Sequence, residues 1–288
     1  MGRIMKRGIN YTGGGSGSGG GELTNEIDTV ISVGGIESGT TYAAGTPIEN
    51  ILADMLEPTL YPTYTAPSAS LSYSANAYYA VGATVSAMSA TVSYNAGAIT
   101  LNGAKQNDRG GAATNYAIAT VGADTEYSDS DTSSGSFSVP ALTRSTKGTI
   151  VVTGTVSYAQ GAQPKDSKGN DYQTPLPAGS VNSSKTLNFI QPYYYGKSAS
   201  STVSSFSGLT ENVTAKGNKT FNFTTNNEYM VFAYDSSYGN LKNIIDGNGF
   251  DVTSGWTKSS LTVDGFSYFV YVSNSPTTDT NAPFTFKY

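Results

Sequence analysis

The region from residue 63 to 190 contains short runs in which apolar side chains recur at every second position. In GTIVVTGTVSYA, Ile150, Val152 and Gly154 share one face, and the residues between them share the other. Because successive side chains of a strand point to opposite faces, this period predicts a β-strand. Comparable runs, with turn-rich loops and no helix between them, are SASLSYSA, ATVSAMSATVSY, AITLNG, GSFSVPAL and KTLNFIQ. This spacing favours a β-sandwich of immunoglobulin type.

A second β domain is predicted over residues 191–288. QPYYYGKS, at 191–198, is typical of a domain junction, and apolar alternation resumes in EYMVFAYD, FSYFVYVS and PFTFKY. Between the sandwich strands, residues 159–180 form a long loop rich in Pro, Gly and Asp, a type that is often mobile or makes contacts. We therefore expect an all-β chain of tandem immunoglobulin-like sandwiches at 63–190 and 191–288.

Residues 26–62 predict a strand followed by one short helix. EIDTVISVGGI alternates and then turns at Gly34 and Gly35. Thr46, Pro47 and Glu49 have the spacing of a capping box with proline in the first turn, and a proline follows the helix. The apolar stripe of this helix consists of Ile48, Ile51, Leu52, Met55 and Leu56. A helix of about ten residues needs a packing partner, so we expect an oligomerisation or collar segment.

Residues 1–12 combine positive charge with apolar side chains and precede a flexible linker, residues 13–25, that contains GGGSGSGGG. An apolar, basic segment at the end of a flexible linker is typical of a peptide that docks in a groove of another protein. The predicted docking residues are Arg3, Ile4, Met5, Lys6, Arg7, Ile9 and Tyr11. The alternative interpretation is a cloning scar or a frayed terminus.

Composition excludes several function classes. The 288 residues include neither His nor Cys, which removes Ser-His-Asp triads, thiol nucleophiles, disulfides and most zinc sites. Only 13% of residues are charged and the net charge is -5, so we expect no nucleic-acid binding. No apolar run is long enough for a transmembrane helix, and the basic start leads into glycine rather than a signal-peptide core. We expect neither membrane insertion nor a Sec-type leader.

Three stretches resemble a known family. VGGIESGTTYAAGTPIENILADMLEPTLYP is similar to a segment that recurs in structural proteins from phages of Bacteroidetes, including crAss-like phages. VTGTVSYAQGAQPKDSKGNDYQTPLPAGS followed by QPYYYG resembles the middle section of those proteins, and EYMVFAYDSSYGNLKNIIDGNGFDVTSGW resembles their C-terminal module. The likeness covers most of residues 30–288. It implies an oligomeric virion appendage, namely a head fibre, a head decoration or a tail-fibre component, and no catalytic residues.

Two groups of side chains are candidates for binding. Asp246, Asn248 and Asp251 lie in a glycine-rich stretch that is a weak calcium candidate, and the alternative is a hairpin turn. Residues 166–171 are a weaker candidate of the same kind. Possible glycan or partner contacts are Tyr193, Tyr194, Tyr195 and Trp256. The alternative for the three tyrosines is an interdomain seam in which each ring packs on a different module, and this alternative is favoured.

The sequence therefore predicts a noncatalytic virion protein without a cofactor, anchored by its docking peptide. Its expected partners are capsid, portal, tail or fibre subunits and further copies of itself, with a trimer favoured. It is expected to assemble in the host cytoplasm, where disulfides are not used, and to be released by lysis. The first alternative is a module of a tail fibre that binds a host surface glycan. The second is a polysaccharide depolymerase, which needs two carboxylates at a fixed separation.

Overall fold

The computed structural model describes residues 21–23 and 25–288. Within them the chain is all-β apart from α1 (Ile48–Leu56) and two 3₁₀ turns, Ser236–Tyr238 and Thr253–Gly255, so the predicted fold class is confirmed. The immunoglobulin-like topology of the two domains stays a prediction. No helix of the described part is both long and apolar enough to cross a membrane.

The strands follow one another along the chain in the order of their numbers. Up to residue 143 they are β1 (Ile27–Asp28), β2 (Thr41–Tyr42), β3 (Thr63–Thr65), β4 (Ser68–Tyr73), β5 (Tyr78–Ala80), β6 (Thr84–Val85), β7 (Met88–Asn95), β8 (Ala98–Leu101), β9 (Ala104–Asn107), β10 (Ala113–Val121), β11 (Ser128–Asp131), β12 (Ser136–Val139) and β13 (Leu142–Thr143). The later strands are β14 (Gly148–Tyr158), β15 (Gly179–Ile190), β16 (Tyr193–Ser198), β17 (Thr210–Asn212), β18 (Lys219–Asp235), β19 (Asn243–Asp246), β20 (Trp256–Val263), β21 (Phe266–Ser273) and β22 (Thr277–Lys287).

The chain divides into two compact units that are discontinuous in sequence. Among the described residues, the first unit comprises the chain up to residue 67 together with 96–112 and 158–179. The second comprises 68–95, 113–157 and 180–288. The predicted domain boundaries at 62/63 and 190/191 do not coincide with the limits of these units. The division into domains at those boundaries stays a prediction.

In the first unit, α1 begins one residue later than the capping-box pattern predicts. Pro47 occupies the cap position without a side-chain cap, and the Thr46 hydroxyl instead donates to the carbonyl of Ala43. The amide of Ile48 donates to the carbonyl of Gly21 at 2.8 Å, so the chain that enters the unit satisfies a free N–H at the helix start. The capping-box prediction is wrong because the backbone carbonyl of residue 21, and not a side chain, accepts a hydrogen bond from the start of the helix.

The predicted strand at residues 26–33 is also shorter than expected. β1 and β2 form a two-residue antiparallel pair, and residues 30–36 form a tight loop closed by reciprocal hydrogen bonds between Val33 and Ile36. A second small sheet in this unit has the order β3-β8-β9. The apolar alternation in this region therefore marks a loop rather than an extended strand.

The second unit contains a sandwich of two sheets. One has the order β11-β10-β14-β15-β5 and the other β12-β7-β4, and side chains of both meet in one core that includes Val92, Phe137 and Ile150. Along β14 every second residue from Ile150 to Tyr158 is buried, as the sequence period predicts. At Gly154 a Cβ would lie 2.6 Å from a methyl carbon of Val92, so this position requires glycine for the sheets to approach.

The remainder of the second unit is organised by the 17-residue strand β18. Its first half pairs with β22, and its second half pairs with β16 and β21. Two register shifts lie near the end of the pairing with β22, and Asn227 there has φ +56°. Bulges of this kind let one strand pass between two sheets. The bend encloses an aromatic core that includes Phe232 and Phe286, whose ring centroids lie 3.9 Å apart.

Candidate interaction surface

The exposed large hydrophobic side chains of the described chain are concentrated in residues 27–61. Nine of the eleven such residues lie there, and Val121 and Phe250 are the other two. We call these nine residues the collar face; they are Ile27, Val30, Ile31, Val33, Leu52, Met55, Leu56, Leu60 and Tyr61. Apolar residues scattered singly over a surface are ordinary, whereas a concentration of them marks an interaction site.

The loop at residues 30–36 is held directly against the last turn of α1. The amide of Gly35 donates to the carbonyl of Met55 at 3.1 Å. A Cβ at Gly35 would lie 2.1 Å from the carbonyl oxygen of Asp54, so no larger residue fits without moving the backbone. This close approach, which only glycine permits, holds the backbone of the loop against the C-terminal end of α1.

The predicted oligomer-contact residues of α1 are all at least partly accessible. Leu52, Met55 and Leu56 are 50%, 37% and 80% exposed, while Ile48 and Ile51 are half-buried. No residue of the helix is fully buried. The stripe is therefore not fully covered by the described residues, and the prediction that it contacts other copies stays a prediction.

A polar cavity of about 350 Å³ adjoins the collar face, and its lining includes Glu37, Tyr42, Asp54, Tyr61 and Lys168. Lys168 forms an ion pair with Asp54, and the Tyr42 hydroxyl donates to the same carboxylate at 2.9 Å. The hydrogen bond from Lys168, followed by that from Tyr42, holds the pKa of Asp54 below its ordinary value. Burial, and then the Asp54 carboxylate, raise the pKa of Tyr42. These contacts compensate the negative charge of the Asp54 carboxylate and connect α1 to Tyr42 and Lys168.

The long loop at 159–180 contributes to the same unit. The amide of Leu60 donates to Ser167 Oγ at 2.8 Å, and the amide of Ser167 donates to the carbonyl of Leu60 at 2.9 Å. The rings of Tyr61 and Tyr172 lie 4.6 Å apart. Of the two properties typical of such loops, mobility or contacts, this loop shows contacts, with the chain that follows α1.

Residues 21–62, which contain the predicted segment 26–62 and are called the collar segment from here on, are strongly acidic. This segment contains seven Asp and Glu residues and no Lys or Arg, although the whole chain has 16 basic residues. All of these acids except Asp54 are exposed. An apolar surface with an acidic surround favours a partner that is apolar and basic.

The predicted docking residues Arg3, Ile4, Met5, Lys6, Arg7, Ile9 and Tyr11 lie outside the residues that the structure describes. The prediction that they bind another protein stays a prediction.

The aromatic contact residues are packed within the C-terminal sheets. Tyr193 is fully buried and Trp256 is 9% exposed, so neither presents a ring to a glycan. Tyr195 stacks on Phe221 at 4.0 Å in the same aromatic core as Tyr193, whereas Tyr194 packs in a second cluster. Alternation along β16 explains this division. The favoured interdomain seam is wrong because the three rings pack on the two faces of one sheet.

The calcium candidates form the turn that the alternative predicted. Asp246 Oδ1 accepts from the amides of Asn248 and Phe250, each at 2.9 Å, and Asp251 Oδ1 accepts from Thr253. The carboxylates therefore cap backbone amides, as Asx turns do. Within the described residues no group of three or more acidic side chains is placed to hold a metal ion.

A second cavity, of about 480 Å³, lies in the second unit. Tyr78, Tyr79 and Glu211 are among its lining residues. The amide of Asn76 donates to the Tyr79 hydroxyl at 2.9 Å, and Glu211 is the acidic residue of the lining. The sequence indicates the adjacent tyrosines but not their proximity to β17, which depends on long-range folding.

Sequence patterns identify the helical part of the collar face but not the rest. Val30 and Ile31 alternate as core strand residues do, yet they are 89% and 67% exposed. Leu60 and Tyr61 lie between two prolines in the chain that follows α1, and this stretch carries no pattern that predicts exposure. Lys and Arg are absent from 21–62, but they are absent from all of residues 8–104, so this feature does not single out the collar face.

Comparisons of this chain with protein-family models, with curated proteins and with solved structures found no match.

Proposed function

We propose that this chain is a noncatalytic structural subunit of a phage virion, an appendage of the fibre or decoration type. Residues 1–12 anchor it to another virion protein, and the collar face contacts neighbouring copies, with a trimer favoured. The single observation that carries the assembly role is the concentration of exposed apolar residues in 27–61.

The energetics favour a covered collar face. Complete burial of one Val, Leu or Ile side chain contributes about 1.5–3 kcal/mol, so several such residues together supply the driving force for assembly. Obligate subunit interfaces are apolar in this way. The sandwich and the aromatic core, by contrast, bury their large side chains without a partner.

The phage assignment is supported by the sequence resemblance alone. The three stretches that carry it fall in the collar segment, in the β14–β16 region and in the C-terminal sheets. Their order along one chain agrees with the order in the resembled proteins.

The proposal is tested by incorporation into particles made from the genome that encodes the chain. A tagged chain without residues 1–20 is expected to fold but to be missing from purified particles. A tagged Leu52→Asp/Leu56→Asp chain is expected to be incorporated at least tenfold less than wild type, because it places charge in a buried contact.

Val121→Asp is the matched control, since Val121 is 60% exposed and lies outside the collar face. It is expected to be incorporated normally. Normal incorporation of both the truncated and the Leu52→Asp/Leu56→Asp chains contradicts the proposal.

The glycan-binding alternative receives no support from the residues first proposed for it. Tyr193 and Trp256 are enclosed by their own sheets, and the exposed parts of Tyr194 and Tyr195 lie on opposite faces of β16.

A further inference from the structure

The chain enters the described structure beside the start of α1. The carbonyl of Gly21 accepts from the amide of Ile48 at 2.8 Å. Leu23 is nearly buried, and its amide and carbonyl bond to Thr46 and Gly45 at 2.9 and 2.7 Å. Residues 21–23 are therefore fixed, and the preceding segment is attached at one end of the helix whose other end carries Met55 and Leu56.

The composition of residues 1–12 complements that of the collar segment. They contain three basic residues and no acidic ones, together with Ile4, Met5 and Ile9. The collar segment has the opposite charge, with seven acids and no bases, and it exposes apolar side chains. An apolar and basic peptide gains both hydrophobic burial and charge complementarity on such a surface.

The linker is long enough for this contact within one chain. A glycine-rich coil of nine residues, the number that separates residue 11 from Gly21, spans about 15–18 Å. A nine-residue helix is about 13.5 Å long at 1.5 Å per residue. Attachment also gives the tethered segment an effective concentration on the order of millimolar, so even weak binding in the same chain is populated.

We propose that residues 3–11 bind the collar face of their own chain before assembly. In this arrangement Ile4, Met5 and Ile9 cover exposed apolar side chains of the loop and of α1, and the three basic residues lie among the exposed carboxylates, Glu49 and Glu57 included. The same segment then leaves the face when it anchors to another protein, and a neighbouring copy takes its place. The inference extends the proposed function but depends on the collar face alone, not on the virion role.

The first test is zero-length carbodiimide cross-linking of the full chain. Lys6 is the lysine of the basic segment, and the assay records which carboxylates it joins. An equal mixture of ¹⁴N- and ¹⁵N-labelled protein separates links within a chain from links between chains. We expect within-chain links from Lys6 to acids of 22–57 at about tenfold or more the yield of links to exposed Asp129 or Asp264, falling steeply at 0.5 M salt as the charges are screened.

Three outcomes overturn the proposal: links mainly between chains, links spread evenly over the acids of the molecule, or no links from Lys6. Each of these outcomes leaves the particle experiment, and thus the proposed function, undecided.

The second test uses residues 21–288, which contain all of the described packing, and a synthetic peptide of residues 1–12 with a fluorescent label. Binding is expected at submillimolar concentration and at least tenfold weaker for a peptide with Arg3, Lys6 and Arg7 changed to Glu. Leu52→Ser/Leu56→Ser is expected to weaken binding at least tenfold, and Val121→Ser is expected to leave it unchanged. Absence of binding at millimolar peptide, or equal binding of both peptides, refutes the proposal.

Discussion

The collar segment and the C-terminal sheets use the same types of large side chain in opposite ways. Residues 191–288 gather Phe, Tyr and Trp into a core where Phe232, Tyr234 and Phe286 have no accessible surface. The collar segment leaves Leu56 and Val30 80% and 89% exposed. A strand that bends across two sheets encloses its own core, whereas one short helix with a short loop has no second layer to cover it. The comparison teaches that the C-terminal sheets enclose their own large apolar side chains, whereas the collar segment leaves several of its own accessible.

Core truncation is expected to give the largest difference between the two regions. Phe232→Ala should lower the free energy of unfolding by about 3–5 kcal/mol because it leaves a cavity among stacked rings. Leu56→Ala in the monomer should change it by less than about 0.5 kcal/mol, as for other exposed sites. Urea denaturation of dilute protein lacking residues 1–20 measures both, and equal losses would remove the contrast.

Two ion pairs allow the same comparison for charge. Lys147 pairs with Asp235, whose side chain is 7% exposed, and Lys168 pairs with the more accessible Asp54. Lys147→Met should cost about 1.5–3 kcal/mol at pH 7 because it strips a buried carboxylate of its charged donor. Lys168→Met should cost about 0–1 kcal/mol, as surface pairs do.

The pH dependence of the Lys147→Met effect follows from the pKa of Asp235. Burial alone raises this pKa, but the hydrogen bonds from Lys147 and Ser237 outweigh burial and hold it below the ordinary value. Stability from the ionised carboxylate is therefore present at neutral pH and is lost as pH falls through the folded-state pKa. Denaturation at pH 7 and pH 3 should show the cost of Lys147→Met shrinking on acidification. A cost that grows instead would mean that the pair does not hold the carboxylate ionised.

Substitution of a glycine in the collar segment is expected to have a smaller effect on stability than core truncation. Gly35→Ala places a methyl group against the carbonyl of Asp54, so the loop must move away from α1. We expect a loss of about 1–3 kcal/mol, as for overpacked sites, and weaker assembly. Gly255→Ala is the control, because a Cβ there meets nothing within 4 Å. Thermal melts and particle incorporation should separate the two variants, and indistinguishable behaviour would disprove the contact.

Local patterns in the sequence predict elements whose environment is itself regular. The period of two around Ile150 predicts both a strand and its buried face, because the two sheets of the sandwich enclose it evenly. The apolar stripe of α1 likewise predicts its helix, whose bounds differ from expectation only because Gly21 supplies the cap.

Features decided by distant residues are not predicted from the sequence. Strand β10 is absent from the predicted strands because its alternating positions are largely Ala and Thr, which carry little contrast. The strand expected at 26–33 is shorter than predicted because backbone hydrogen bonds of Gly35 with Met55 and of Thr29 with Thr40 close that segment into loops. Nothing local distinguishes Val30, which is exposed, from Val152, which is buried, since burial depends on which layers surround each strand.

The most direct test of the collar face is sedimentation equilibrium of the chain without residues 1–20, compared with the same chain carrying Leu52→Asp/Leu56→Asp and with the Val121→Asp control. The account predicts that the parent and the control form concentration-dependent oligomers, with trimers favoured. It predicts that the double variant stays monomeric at concentrations at least tenfold above those at which the parent assembles. A parent chain that stays monomeric throughout, or a double variant that assembles as the parent does, would contradict it.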